Sequence, residues 1–269
     1  MPLPREPRAV VTGAAGGLGR AFALELARMR GRILVADIDE EGARETVRLV
    51  KEAGGDAHPV RCDVSKSAEV EALLGEAERA IGGVDLLINN AGVAVGGPIG
   101  KVPLTDWEWV IGINLWGVIY GCHHFVPHFR KQGSGHILNV ASAAGLVSSP
   151  RLGPYNVTKA GVVALSETLS VELKRENIGV TVLCPTFFRT NIGKSGRAHQ
   201  TGGLEFIEGL MARTKVQADD VARAALDGVA SGKLYVLPHA DGRWFWRLKR
   251  TAPGLFYQTL LAKAGRFMR

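Results

Sequence analysis

The sequence predicts one doubly wound α/β domain, a parallel sheet of about seven strands with helices on both faces. Three observations predict it. Short apolar runs alternate with helical patterns along most of the 269 residues, the order that builds right-handed βαβ units on a parallel sheet. The first run leads into a Gly-rich turn that opens a helix. No internal repeat, low-complexity stretch or interdomain linker breaks the alternation. With 46% apolar and 22% charged residues, the chain has the composition and the length to bury a sizeable core.

The strands are expected at 8–12, 32–36, 57–61, 84–88, 135–141, 180–184 and 233–237. Most are too short for helices and end at Gly, Asp or Asn. Between them, residues 20–30, 40–52 and 68–80 repeat apolar side chains at helical spacing. A domain over 1–237 and a basic, aromatic extension over 238–269 follow from the composition shift near residue 238.

Chemistry gathers at the strand ends. After the first strand comes Thr12-Gly13-Ala14-Ala15-Gly16-Gly17-Leu18-Gly19. Gly13, Gly17 and Gly19, with Leu18, let the backbone turn tightly against a pyrophosphate seated on the helix N-terminus. Asp37 closes the second strand 24 residues after Gly13, where a carboxylate can hold both ribose hydroxyls and repel a 2′-phosphate. Gly16 and Ile38 cannot neutralise such a phosphate, and Arg20 and Arg44 read as solvent-facing helix residues. The reading is NAD over NADP, the plain alternative being that Asp37 caps the next helix. Asp63-Val64 ends the third strand and Asn89-Asn90-Ala91-Gly92 the fourth. Asp63 suits the adenine amine and Ala91-Gly92 leave room for a ribose, although each can equally be a local turn.

Ser142 ends the fifth strand, and Tyr155-Asn156-Val157-Thr158-Lys159 opens a helix 13 residues later. A spacing of four puts Tyr155 and Lys159 on one helical face. A phenol that ordinarily titrates near 10 needs a neighbouring cation to work as acid and base at neutral pH. Lys159 supplies one, and Ser142 can bond the substrate oxygen as charge develops.

With those residues in place, the chain resembles the short-chain dehydrogenase/reductase family over roughly residues 8–237, through TGxxxGxG, Asp37, CDV, NNAG, Ser142, Tyr155 and Lys159. The resemblance implies a Rossmann-type fold and an alcohol–carbonyl oxidoreductase, with homodimers or homotetramers dominant. It implies that Tyr155 is the general acid/base, that Lys159 lowers its pKa and binds the nicotinamide ribose, and that Ser142 holds the substrate oxygen. Asn114 would join a water-linked proton relay with Lys159. Pro185, Phe188 and Thr190 match positions around the nicotinamide carboxamide, and 191–215 would be the variable substrate loop. One departure stands out: the family's Pro-Gly is here Pro185-Thr186. Phe187, Phe188, Leu204, Phe206, Ile207 and Leu210 suggest a hydrophobic alcohol such as a steroid, retinoid or lipid. The rival reading is a nucleotide-binding scaffold or sensor without turnover.

The net charge of +7 does not point to nucleic acid: residues 233–269 hold eight Lys/Arg against Asp241, and residues 1–232 balance. Phe256, Leu260 and Phe267 can share a helical face after Pro253, with Lys263, Arg266 and Arg269 on another. Packing over the cleft or a neighbouring subunit and peripheral membrane contact remain alternatives for this tail. Cys62, Cys122 and Cys184 have no pairing or zinc spacing, which with the absence of a signal-like N-terminus suggests a cytoplasmic protein. His123, His124 and His128 lack acidic or cysteine neighbours to complete a metal set, and they and Trp107, Trp109 and Trp116 read as surface, core or interface residues.

Overall fold

The computed structural model describes residues 3–186, 188, 196–198, 214 and 216–264. Thr190, Phe187, most of 191–215 and residues 265–269, Phe267 among them, lie outside the described residues.

The strands are Arg8–Thr12 (β1), Arg32–Asp37 (β2), Asp56–Arg61 (β3), Leu86–Asn89 (β4), Val95–Gly96 (β5), Gly135–Val140 (β6), Ile178–Leu183 (β7), Arg197–Ala198 (β8) and Tyr235–Val236 (β9). The helices are Gly17–Arg28 (α1), Glu40–Glu52 (α2), Ser67–Ile81 (α3), Leu104–Ile111 (α4), Gly117–Gln132 (α5), Ala144–Val147 (α6), Gly153–Glu172 (α7), Ala218–Ala230 (α8), Ala240–Thr251 (α9) and Pro253–Ala264 (α10). Among the described residues, seven strands form one parallel sheet in the order β3-β2-β1-β4-β6-β7-β9. β5 and β8 pair separately, also in parallel.

Strand pleating sorts the core into two layers. Ala9 and Val11 of β1, with Ile33 and Val35 of β2, meet Phe22 and Leu26 of α1 and Val221, Ala225 and Val229 of α8. Val10 and Leu34 face the other way, onto Leu73 of α3, Phe125 and Phe129 of α5 and Val162 of α7. Burial on both faces is why these strands read as continuous apolar runs. The chain leaves β1 for β2 on one side, and β4 lies on the other. The crevice at the carboxyl ends of β1 and β4 is therefore the switch point where open α/β sheets take ligands.

Several boundaries differ from expectation. The fourth strand starts at Leu86, not 84; Asp85 before it still donates its N–H to the Arg8 carbonyl at 2.7 Å and accepts the His136 N–H at 3.0 Å, while its carboxylate accepts from the Arg8 N–H and Nε, each at 2.9 Å, and Nη2 at 2.6 Å. The sixth strand of the main sheet, β7, begins two residues early at Ile178, paired with Gly135. The last strand is only Tyr235–Val236. Asn114 lies not in an α-helix but in a π-helical segment, Gly112–Trp116, between α4 and α5.

Candidate active site

The Gly-rich turn is held by close packing at the switch point. Gly13 (φ +64°) and Gly17 (φ +53°) occupy the left-handed region. A Cβ on Gly19 would lie 2.1 Å from the Gly13 carbonyl oxygen, and one on Gly13 would lie 2.7 Å from the Ala91 Cα. Asn90 Nδ2 donates to the carbonyls of Thr12 (2.8 Å) and Gly13 (3.0 Å), fastening the end of β4 to the turn. The Thr12 hydroxyl accepts the N–H groups of Asn90 (3.0 Å) and Ala91 (3.2 Å). Sequence reading missed Thr12, whose signal is a buried hydroxyl at the end of an apolar strand. Leu18 is buried in the core beneath. The N-cap of α1 is the extended Gly16, which brings no side-chain cap, and the first turn holds no acidic residue. Its outward N–H groups suit an anion.

Asp37 faces this turn. Its Oδ2 accepts the Ala15 N–H at 2.8 Å and its Oδ1 the Asp39 N–H at 3.0 Å. The cap of α2 is Asp39, which accepts the Gly42 N–H at 3.0 Å, so Asp37 is not the helix cap. Each of its oxygens can accept further hydrogen bonds. Ile38 is exposed and carries no charge to offset Asp37. Arg20 corrects the expectation of a solvent-facing side chain: it is half-buried, donating to the Ala15 carbonyl and, from Nε, to Thr46 Oγ1 at 2.9 Å. The turn draws it in because the Ala15 carbonyl needs a donor. Arg44 is exposed and pairs with Glu40. A tight cradle, an uncapped helix N-terminus and a carboxylate against the turn fit a dinucleotide.

Asp63 bonds locally: its Oδ1 accepts the Ser65 N–H (3.0 Å) and hydroxyl (2.7 Å). Burial raises this carboxyl, but the Ser65 bonds and the Lys66 charge outweigh it and hold it below the usual range. Val64 is buried against Gly117, where a Cβ would come within 3.0 Å of it.

Ser142, Tyr155 and Lys159 come together. Ser142 follows β6, and its Oγ accepts the Ala144 N–H at 3.1 Å and donates to the Pro185 carbonyl at 3.4 Å. Tyr155 and Lys159 share a face of α7, with Nζ 5.7 Å from the phenol ring centroid. Lys159 is buried, and its Nζ donates to the Val140 carbonyl at 2.8 Å. Burial pushes the Tyr155 hydroxyl up to about 12, partly offset by its hydrogen bond with Ser142. Burial likewise pushes the Lys159 ammonium down to about 8, with Cys184 opposing. A tyrosine drawn below its usual value by Lys159 was the expectation; here burial is the larger effect, the ammonium lying over the ring.

Asn114 is fully buried, with Oδ1 accepting the Val93 N–H and Nδ2 donating to the Val93 carbonyl, both at 2.8 Å. A Cβ on Gly92 would lie 3.2 Å from Asn114 Oδ1 and 3.4 Å from Lys159 Nζ. The absence of a side chain at Gly92 is what lets both groups approach that point. Phe188 is buried in the layer with α1 and α8, its ring centroid 6.1 Å from that of His239. It therefore packs into the core and does not form an open wall of a substrate pocket. Trp107 and Trp109 pack with Val93, Val95, Val102 and Val110 beside β5. Arg197 of β8 stacks on Trp109 at 4.0 Å and pairs with Asp106. Trp116 is exposed and stacks on Tyr120, and His124 Nε2 is 2.9 Å from the Ser67 hydroxyl.

The extension packs on its own domain: Phe256 is buried, and Trp246 meets Tyr235 of β9 at 5.0 Å. Among the described residues no helix is long and apolar enough to cross a membrane.

A family model described as short chain dehydrogenase matches residues 7–201. The oxidoreductase SadH of Mycobacterium tuberculosis is 34% identical over 265 residues, covering 94% of this chain and 93% of that protein. The 3beta-hydroxysteroid dehydrogenase 1 of Eggerthella lenta is 41% identical over 186 residues, covering 68% of this chain and 71% of its own. Among solved structures, a short chain dehydrogenase/reductase from Burkholderia phymatum in complex with NAD superposes with a TM-score of 0.88 at 36% identity, covering 93% of this chain and 95% of that one.

Proposed function

The chain belongs to the short-chain dehydrogenase family, and on that premise we propose that it is an NAD-preferring oxidoreductase interconverting a hydrophobic alcohol and its carbonyl. The observation that carries this reading is the convergence of Ser142, Tyr155 and Lys159 beside a Gly-rich turn faced by Asp37.

The coenzyme, when bound, supplies the hydride acceptor or donor. Gly13, Gly17 and Gly19 would leave room for its pyrophosphate on α1, Asp37 would accept the adenosine ribose hydroxyls, and Asp63, Val64, Asn90, Ala91 and Gly92 would line the path onward. Lys159 would hold the nicotinamide ribose and Pro185 would border the carboxamide, while Phe188 and Thr190 enter this role only through the family resemblance. The chain's own residues handle the proton. Tyr155 Oη gives a proton to the carbonyl oxygen in reduction and takes it from the hydroxyl in oxidation. Ser142 Oγ donates to the same oxygen, stabilising charge as it develops in a buried setting where such bonds count most. The Lys159 ammonium, 5.7 Å from the ring centroid, would favour the tyrosinate against the burial that raises it, and Asn114, which meets Lys159 beside Gly92, would hold the water of a proton relay.

The hydrophobic substrate is supported by the steroid named for the relative from Eggerthella lenta. A homodimer or homotetramer would find a contact face in the groove where Leu74, Ile119, Val126, Leu165 and Leu169 lie among Glu71, His123, His124 and Arg130; light scattering on the purified chain tests it.

Fluorescence titration with NADH and NADPH, followed by NAD-linked oxidation of a panel of 3-hydroxysteroids, long-chain secondary alcohols and polyols, tests the reading. Tighter NADH binding and turnover confined to the apolar alcohols are expected. Preference for NADPH would overturn the coenzyme assignment, and preference for polyols the substrate class.

A further inference from the structure

Where the family resemblance leads to glycine, this chain has Thr186, and the reason lies in the extension. The Thr186 hydroxyl donates to Asp241 Oδ1 at 3.2 Å, and its N–H donates to His239 Nδ1 at 3.3 Å. A Cβ on Gly242 would come within 2.8 Å of the Thr186 methyl carbon, so Gly242 is the residue that lets α9 seat there. A glycine at 186 would offer neither the hydroxyl nor the methyl group.

Thr186 follows Pro185, whose carbonyl accepts the Ala143 N–H at 2.8 Å and the Ser142 hydroxyl at 3.4 Å. The far end of α9 reaches the same segment: Lys249 Nζ donates to the Leu146 carbonyl at 2.7 Å, in the last turn of α6. That carbonyl is among those a short helix leaves without an internal partner. The extension thus holds the Ser142–Val147 segment directly at Leu146 and, at its Ser142 end, through Thr186 and Pro185. It is itself anchored by Arg243, which donates to the carbonyls of Leu237 (2.7 Å) and Pro238 (2.8 Å), and by Trp246 on Tyr235.

We propose that α9 is a positioning element of the active site, holding Ser142 in place through His239, Asp241 and Lys249, with Thr186 as the adaptor. This rests on the proposed reaction only for its catalytic consequence. Buried catalytic groups need a supporting shell, since small displacements of a bonding oxygen cost rate without unfolding the protein.

The test uses the full chain with Asp241→Ala, Lys249→Met and the two combined. Amide hydrogen exchange over residues 141–148 should quicken about tenfold in the double variant while exchange in β1 and α1 stays constant. With NAD and a 3β-hydroxysteroid as probe, kcat should fall about 5- to 30-fold while NADH affinity moves less than twofold, and Lys249→Arg should restore most of the loss. In single turnovers on a Ser142→Ala background, the same substitutions should cost less than about twofold, because they act through Ser142. Equal losses in both backgrounds would overturn the proposal. So would unchanged exchange over 141–148, a result that needs no substrate. Failure of the parent chain to oxidise the probe would instead count against the proposed reaction.

Discussion

Acidification should destabilise this protein in part through one side chain outside the site, His136 of β6. Its Nε2 lies 2.9 Å from Thr181 Oγ1, and the Thr181 hydroxyl donates its own hydrogen to the Lys233 carbonyl at 2.8 Å. Thr181 can then only accept, so Nε2 carries the proton and Nδ1 is bare. Nδ1 is buried without a partner among the described residues and packs on Gly179, where a Cβ would come within 2.2 Å of it. A second proton would place a charge in that dry gap, and burial accordingly pushes the ring down from 6.5 to about 3. The folded value lies below the unfolded one, so the unfolded chain binds more protons between about pH 6.5 and 3, and stability falls as pH drops through that window. At about 1.4 kcal/mol per unit the full effect is roughly 5 kcal/mol, of which about 2 kcal/mol is lost by pH 5. Urea unfolding at pH 7 and pH 5 should show the midpoint of the parent chain falling by roughly 0.7–1 M more than that of His136→Gln. Equal pH dependence in the two proteins would refute the argument.

Three further outcomes are expected. Gly19→Ala should weaken NADH binding by at least about tenfold in a fluorescence titration, because its Cβ has only 2.1 Å to the Gly13 carbonyl oxygen and the turn must deform. Asp37→Asn should weaken NADH about 10- to 100-fold, the value of charge-assisted bonds to the ribose, and narrow its margin over NADPH. Gly75→Ala, in α3 with open space around its Cα, should raise the thermal midpoint by about 2–4 °C, corresponding to roughly 1 kcal/mol.

Most of the main sheet was legible because parallel strands buried on both faces leave apolar runs that need no partner to be recognised. The same holds for Gly13–Gly19, Asp37 and the Tyr155–Lys159 pair, whose geometry follows from local spacing. What depended on distant partners was not legible. β5 and β8 are two residues each and exist only because the segments meet. The bonds from Asn114 to Val93 and Thr158, and those between Asn90 and Thr12 in the Gly-rich turn, join residues tens of positions apart. Arg20 looked solvent-facing because nothing nearby in sequence announces the bare Ala15 carbonyl. Thr186 was visible as a departure, but its partners His239 and Asp241 stand more than 50 residues on.

The central claim is that Tyr155 moves the proton while the rest of the cleft holds the coenzyme, and Tyr155→Phe tests it most directly. Turnover of a 3-hydroxysteroid with NAD and the NADH dissociation constant should be measured on the same preparation. The account predicts a rate at least about a thousandfold lower, with NADH affinity within a few-fold of the parent. Retained turnover, or turnover and coenzyme binding lost together, would contradict it.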